Sequence, residues 1–283
     1  MRLGVVTATL DWMRAEPCVN TWQRTATGPL HLYTVGQGGF PFDQWTPLVI
    51  DPRAGTAQVF GHRQVLGVVP AFAIGVRKAL EDGCEIIACL HDDLDITSKG
   101  WDQDVIHLFK TCPRAGLCGF GGGKGLADDD IYQTPYNPMQ LARKQFISNM
   151  RDAEAHGQRS EVAQPVACLD GFSQIGMRSF WMAQPRGHGG FIVPVPNLFE
   201  QMASWGIVHH WYDGALGAFA KRLGYQVWYL PVACHHYGGR TAVGDARYVE
   251  WAKQQTPDGD AGFWQQAHRI GYDQFRDTLP IRT

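Results

Sequence analysis

The sequence predicts an α/β fold, a mostly parallel sheet with helices against its faces, and a few stretches carry that prediction. Ile86-Ile87-Ala88-Cys89-Leu90 is short and wholly apolar, with Gly83 before it and charge after it, as expected of a strand buried on both faces. Val69 to Asp82 repeats Phe72, Val76, Ala79 and Leu80 at helical spacing, with Pro70 in the first turn and Gly83 as a stop. Leu3 to Leu10 is apolar and β-branched and reads as another central strand. Strand, helix and strand make a βαβ unit, whose crossover is expected to be right-handed.

Taken in order, the first strand ends in Thr7-Ala8-Thr9, then Asp11 and Trp12. Small and hydroxyl residues there would let a ligand approach the backbone, although an ordinary strand end reads the same way. Leu30 to Val35 is a second strand closed by the turn Gly36 to Gly39, and residues 40–67 read as loops and short strands. Beyond the apolar run, Trp101 to Thr111 is expected to be a helix and Ala115 to Phe120 a strand. Gly119 to Gly125 lacks the spacing of a phosphate-binding loop and is followed by Leu126, so a flexible loop is expected. Residues 126–160 are polar, with helix expected from Met139 onward. No internal repeat is present.

Composition narrows the class. With 283 residues, 45% hydrophobic and 18% charged, the chain can bury a substantial core and is not a disordered type. No apolar stretch reaches membrane-spanning length, and Met1 to Val6 runs straight into a strand rather than a signal peptide, so a soluble, cytoplasmic protein is expected. Seven cysteines, odd in number and without a Cys-x-x-Cys pair, fit reduced thiols better than a disulfide frame or zinc knuckle. A net charge of −2 supplies no global field for nucleic acid.

The chemistry-bearing stretch is Leu90-His91-Asp92-Asp93-Leu94-Asp95, at the carboxyl end of the buried strand. In open α/β sheets ligands bind at that edge. Asp93 and Asp95 form Asp-x-Asp, two hard carboxylates suited to a divalent cation that also holds phosphate oxygens. The plainer reading is an acidic loop that caps the next helix.

Two later stretches add to it. The first is Val166-Ala167-Cys168-Leu169-Asp170-Gly171-Phe172, continuing through Met177-Arg178-Ser179-Phe180-Trp181. The second runs His210-Trp211-Tyr212-Asp213-Gly214-Ala215-Leu216, passes through Gly224-Tyr225 and Leu230-Pro231, and closes with His235-His236-Tyr237-Gly238-Gly239. In order and spacing these stretches, over about residues 1–240, resemble the nucleotide-sugar-dependent glycosyltransferases of the GT-A fold, especially the inverting family-2-like group. The resemblance implies a Rossmann-like, mostly parallel sheet flanked by helices over residues 1–240; beyond it, residues 241–283, carrying Trp251, Phe263, Trp264, Tyr272 and Phe275, are expected to form a helical tail against the domain or a partner.

By that resemblance Asp93 and Asp95 are the Asp-x-Asp, with Asp95 the direct metal ligand and Asp92 or Asp93 facing the nucleotide ribose. His236, rather than His235, stands where a late histidine completes the metal shell, and Asp213 where an acid takes the proton of the acceptor hydroxyl. Thr7, Ala8, Thr9, Asp170 and Gly171 would lie along the donor. The chain departs from the family at Tyr212, where Glu is usual. Mn2+ or Mg2+ is the implied cofactor and a UDP-sugar the expected donor. The acceptor would be a hydroxyl on a glycan, lipid-linked sugar, protein or modified nucleobase.

Plainer readings stand beside these. Asp213 precedes an apolar helical face and could be only an N-cap. Adjacent His235 and His236 at the end of a strand point to opposite faces, so one at most faces a metal. Asp170-Gly171 could be a turn, and His209-His210 surface or core polarity rather than a second metal site. Loops 121–137 and 183–197, rich in Gly and Pro, are candidates for a lid or acceptor wall. Two other functions fit the fold class. A sugar nucleotidyltransferase would need a basic, glycine-rich triphosphate loop near residue 10, and a non-catalytic nucleotide or carbohydrate binder would explain Tyr212.

Overall fold

The computed structural model describes residues 1–40, 44–48, 55–126, 146–151, 157–183, 197–238, 245–279 and 281–283. The chain opens with β1 (Leu3–Thr9), α1 (Trp12–Thr25), β2 (Leu30–Gly36), β3 (Trp45–Leu48), β4 (Gly55–Gly61), α2 (Val68–Glu81) and β5 (Ile86–Leu90). It continues through β6 (Leu94–Ile96), α3 (Trp101–Thr111), β7 (Ala115–Gly119), β8 (Gly121–Gly123), β9 (Gly125–Leu126), β10 (Phe146–Ser148), β11 (Gln158–Arg159) and β12 (Gln164–Val166). Next come β13 (Cys168–Leu169), β14 (Ser173–Met177), α4 (Arg178–Trp181), α5 (Leu198–Ser204), α6 (Tyr212–Arg222), β15 (Gln226–Tyr229) and β16 (Cys234–His236). The last elements are α7 (Ala246–Gln255), α8 (Gly259–Phe275) and β17 (Ile281–Arg282).

The main sheet has nine strands in the order β12-β15-β7-β14-β5-β1-β2-β4-β3. β5, β1, β2 and β4 run parallel, β15 runs parallel to β7, and β14 lies antiparallel between β5 and β7. The antiparallel strands β12 and β3 close the edges. The architecture is Rossmann-like α/β, as the apolar runs require.

β5 shows why it folds this way. All five of its residues are buried. Ile87 and Cys89 join the core shared with Phe72, Val76 and Ala79 of α2, whereas Ile86, Ala88 and Leu90 join the core holding Cys18, Val19 and Trp22 of α1 and Val105 of α3. A strand with helices on both faces has no polar face to present, which is why its sequence does not alternate. Each such side chain contributes roughly 1.5–3 kcal/mol of burial. The Trp22 indole N–H also donates to the Leu94 carbonyl at 2.6 Å, so α1 fixes the start of β6.

Two local expectations are corrected. The glycine run was expected to be a loop, but β8 pairs antiparallel with β10 and β13 in a four-stranded sheet. Glycine is needed there for close approach: a Cβ on Gly121 would lie 2.8 Å from the Phe146 ring, and one on Gly122 2.8 Å from the Cys168 carbonyl. Helix was expected from Met139; residues 139–145 lie outside the described residues, and Phe146–Ser148 is a strand. α1 was not anticipated, since Pro17 interrupts its pattern.

The chain beyond residue 245 packs into the same core. Ala267, Phe275 and Ile281 belong to it, β17 pairs with β9, and Asp260 accepts hydrogen bonds from Tyr248 at 2.5 Å and from His210 at 2.7 Å. His209 and His210 therefore serve packing and a tail contact. No helix among the described residues is long and apolar enough to cross a membrane. All seven cysteines are free.

Gly119 tests the packing of the sheet, because a Cβ there would sit 2.3 Å from the Ser173 carbonyl of the neighbouring strand. Gly119→Ala is expected to destabilise the protein by about 1–3 kcal/mol through overpacking, read as a lower midpoint in chemical denaturation.

Candidate functional site

The carboxyl edge of the parallel strands gathers the polar groups. β5 ends at Leu90, and the chain turns at once, with Leu94 N–H bonded to the His91 carbonyl at 3.3 Å and His91 N–H to the Phe172 carbonyl at 3.0 Å. The turn places His91 and Asp93 on one side before β6 begins. β6 then pairs antiparallel with β16, matching Leu94 to His236 and Asp95 to His235. The Tyr237 N–H closes the pairing on the Asp93 carbonyl at 3.0 Å.

These pairings bring together His91, Asp93 and His236, whose ligand atoms lie within 4.8 Å of one another. His236 Nε2 is 3.1 Å from Asp93 Oδ1, and His91 Nδ1 is 3.9 Å from the same oxygen. The 3.1 Å Asp93–His236 spacing is that of an ion pair, and two ligands of one cation held by bonds of ~2.1 Å would stand at a similar separation. Two imidazoles and a carboxylate are a fitting donor set for a divalent metal. Phe172 stacks on His236 with ring centroids 4.8 Å apart and fixes its plane.

Asp95, expected as the direct metal ligand, is placed elsewhere. Its Oδ2 accepts a hydrogen bond from the Tyr237 hydroxyl at 2.7 Å. The expectation rested on resemblance alone; the turn at Asp92–Asp93 interrupts the extended backbone between β5 and β6 and puts His91 beside Asp93. His235 pairs with Asp95 on the other strand face and packs edge-on against Tyr237.

The remaining expected residues divide. Thr7 is buried within the sheet opposite Thr34, and Ala8 follows it in the same pairing with β2. Thr9 is the member of the trio nearest the acids: its hydroxyl donates to the Asp11 carbonyl at 2.9 Å and lies close enough to Asp92 to favour its charged form. Burial pushes the Asp92 carboxyl up to about 6 against the influence of Thr9. Asp93 would also be raised by burial, but the hydrogen bond and charge of His236 prevail and hold it below its ordinary value. Burial and neighbouring His236 lower His91 to about 4, leaving it neutral at pH 7.

Asp170 and Gly171 form a turn and also border the site. Asp170 Oδ1 accepts from Phe172 N–H at 3.3 Å, and the Gly171 carbonyl accepts from the Tyr212 hydroxyl at 2.9 Å. A Cβ on Gly171 would fall 2.4 Å from that hydroxyl, so the glycine permits the contact. Tyr212 in turn meets His91 Nε2 at 2.6 Å. Its part was illegible in the sequence, where it stood out only as a departure from the family pattern.

Asp213 is not the N-cap. α6 begins one residue earlier at Tyr212, and the cap residue is Trp211, at φ 64°. Asp213 Oδ1 instead accepts from Gly214 N–H at 2.7 Å. Burial, reinforced by the charge of Asp170, pushes its carboxyl up to about 6. Such a group can accept a proton near neutral pH more readily than an ordinary aspartate. Of the candidate lid loops, residues 127–137 and 184–196 lie outside the described residues.

No protein-family model matches the chain, and no curated protein matches it. Among solved structures, the crystal structure of A197 from STIV is similar over 84% of this chain and 87% of its own, with 10% identity and a TM-score of 0.39.

Asp213 has a stability signature with a definite sign. Its folded value of about 6 stands above the ordinary 3.8, so the stability it contributes is present below pH 3.8 and is lost as pH rises through 6. The cost of ionising it in place reaches at most roughly 3 kcal/mol at pH 7. Asp213→Asn removes that cost, so the melting temperature of the variant relative to wild type is expected to be higher at pH 7.5 than at pH 4. An offset independent of pH would show that Asp213 ionises normally.

Proposed function

We propose that the protein is a metal-dependent glycosyltransferase that moves a hexosyl group from a nucleotide diphosphate-sugar, a UDP-sugar foremost, to an acceptor hydroxyl with inversion. The observation that supports it best is one sheet edge that joins a two-histidine, one-carboxylate cluster to a half-buried aspartate of raised proton affinity. Mn2+ or Mg2+ held by His91, Asp93 and His236 would stabilise the negative charge on the departing diphosphate. Asp213, favoured as a base by its burial near Asp170, would take the proton of the attacking hydroxyl. Asp92 and Thr9, near one another at the ends of β5 and β1, would contact the nucleotide.

The sugar nucleotidyltransferase reading is weakened by Asp11. Its carboxylate accepts from Met13 N–H at 3.0 Å and so occupies the start of α1, where a triphosphate would otherwise be held. A non-catalytic binder of nucleotide or carbohydrate is the competing outcome.

Incubation with Mn2+ and a panel of nucleotide sugars, followed by mass spectrometry of donor hydrolysis and transfer products, separates enzyme from binder. Asp213→Asn is expected to lower turnover by roughly two to four orders of magnitude while nucleotide affinity is retained. Wild-type turnover should rise with pH to half its maximum near pH 6, following the Asp213 carboxyl. A variant that transfers sugar at the wild-type rate would place the base elsewhere.

The two acids of the Asp-x-Asp are expected to separate. Asp93→Ala should abolish metal-dependent turnover, whereas Asp95→Ala, which loses a bond to Tyr237, should retain measurable activity. Equal loss in both, in folded protein, would restore Asp95 to the metal shell.

A further inference from the structure

We propose that Tyr212 is a positioning residue that sets the tautomer of His91, making His91 Nδ1 a ligand of a transition-metal site that discriminates against Mg2+. The inference rests on the metal-binding part of the proposed function and not on sugar transfer.

The argument is a count of protons. The Tyr212 hydroxyl has one, and the Gly171 carbonyl, 2.9 Å away, can only accept it. The hydroxyl oxygen must then act as acceptor toward His91 Nε2 at 2.6 Å. Neutral imidazole carries one ring proton, so with Nε2 protonated the lone pair lies on Nδ1. Nδ1 is the nitrogen that faces Asp93 Oδ1 at 3.9 Å. A metal-binding histidine is commonly oriented in this way by a hydrogen bond at its distal nitrogen.

Neighbouring residues hold the relay still. Gly171 admits the hydroxyl because it has no Cβ, and Phe72 and Phe199 pack against the Tyr212 ring at centroid distances of 6.2 Å each. A glutamate in the same position could not donate to the Gly171 carbonyl while ionised, and so could not transmit this preference. With two nitrogens and one oxygen, the site should favour Co2+ and Zn2+ over Mn2+, and Mn2+ over Mg2+, since imidazole suits transition metals and Mg2+ prefers an all-oxygen shell.

The test uses the full chain with Zn2+, Co2+, Mn2+ and Mg2+ alone. In metal-free wild type, long-range 1H–15N spectra of the imidazoles should show His91 as the Nε2–H tautomer, and Zn2+ should shift its Nδ1 resonance together with a nitrogen of His236. Tyr212→Phe should weaken Co2+ binding by about 10–100-fold, with a mixed His91 tautomer. His91→Ala should weaken it by about tenfold or more and change the visible Co2+ spectrum. A His91 Nδ1–H tautomer in wild type, a His91 signal unmoved by Zn2+, or Mg2+ binding as tight as Mn2+ would overturn the inference. The wild-type spectra keep it testable even if a variant does not fold. Metal binding as described without turnover of any nucleotide sugar would defeat the proposed function and leave this inference standing; the reverse result would do the opposite.

Discussion

The antiparallel pairing of β6 with β16 is the constraint on which the site depends. It brings Leu94 opposite His236 across a sequence separation of more than a hundred residues, and with them Asp93 and the histidine it meets at 3.1 Å. Neither strand exceeds three residues, too little ladder to hold itself together in water. The pairing persists because its ends are anchored. The Trp22 indole holds the Leu94 carbonyl, Ser98 Oγ accepts from the Ala233 N–H at 2.7 Å, and Cys234 is buried in the core under α1 and α3. Local order at the cluster is therefore borrowed from the helices on one face of the main sheet.

The same edge concentrates acids in a setting that penalises their charge. Asp92 and Asp213 are both raised, each chiefly by burial, whereas Asp93 escapes because an imidazole faces it. Neighbouring carboxylates whose environments drive them apart can divide duties, one holding a cation while another exchanges a proton. Ionising Asp92 or Asp213 in place costs stability, because burial favours their neutral forms.

Much of the fold was legible in the sequence. The two-sided burial of β5 appears as an unbroken apolar run, and α2 and α3 declare themselves through spacing and stop signals. What escaped was set by tertiary contact. Gly121 to Gly123 form a strand because Phe146, Phe172 and the Cys168 carbonyl come too close for any side chain, a fact without local signature. At the site, Asp93 and His236, which the structure brings to 3.1 Å of one another, were both named by resemblance. That His91 rather than Asp95 lies beside Asp93 follows from a two-residue turn that resets strand alternation, and nothing in His-Asp-Asp-Leu-Asp announces it. Tyr212 could be weighed only once its hydroxyl was seen between Gly171 and His91.

Trp211 carries a consequence for the order in which the molecule is assembled. It is the one non-glycine residue at positive φ among the described residues, a conformation that costs roughly 1–3 kcal/mol. Its indole lies against Gly271, where a Cβ would come within 2.0 Å, and against the rings of His268 and Phe275. The backbone that aims Tyr212 and Asp213 is thus braced by α8, which leaves the ribosome well after α6. During synthesis the sheet can close around β1 and β5 first, but the start of α6 acquires its final angle only when α8 docks. The final geometry of the site would then arrive as a late step, separate in time from the collapse of the core.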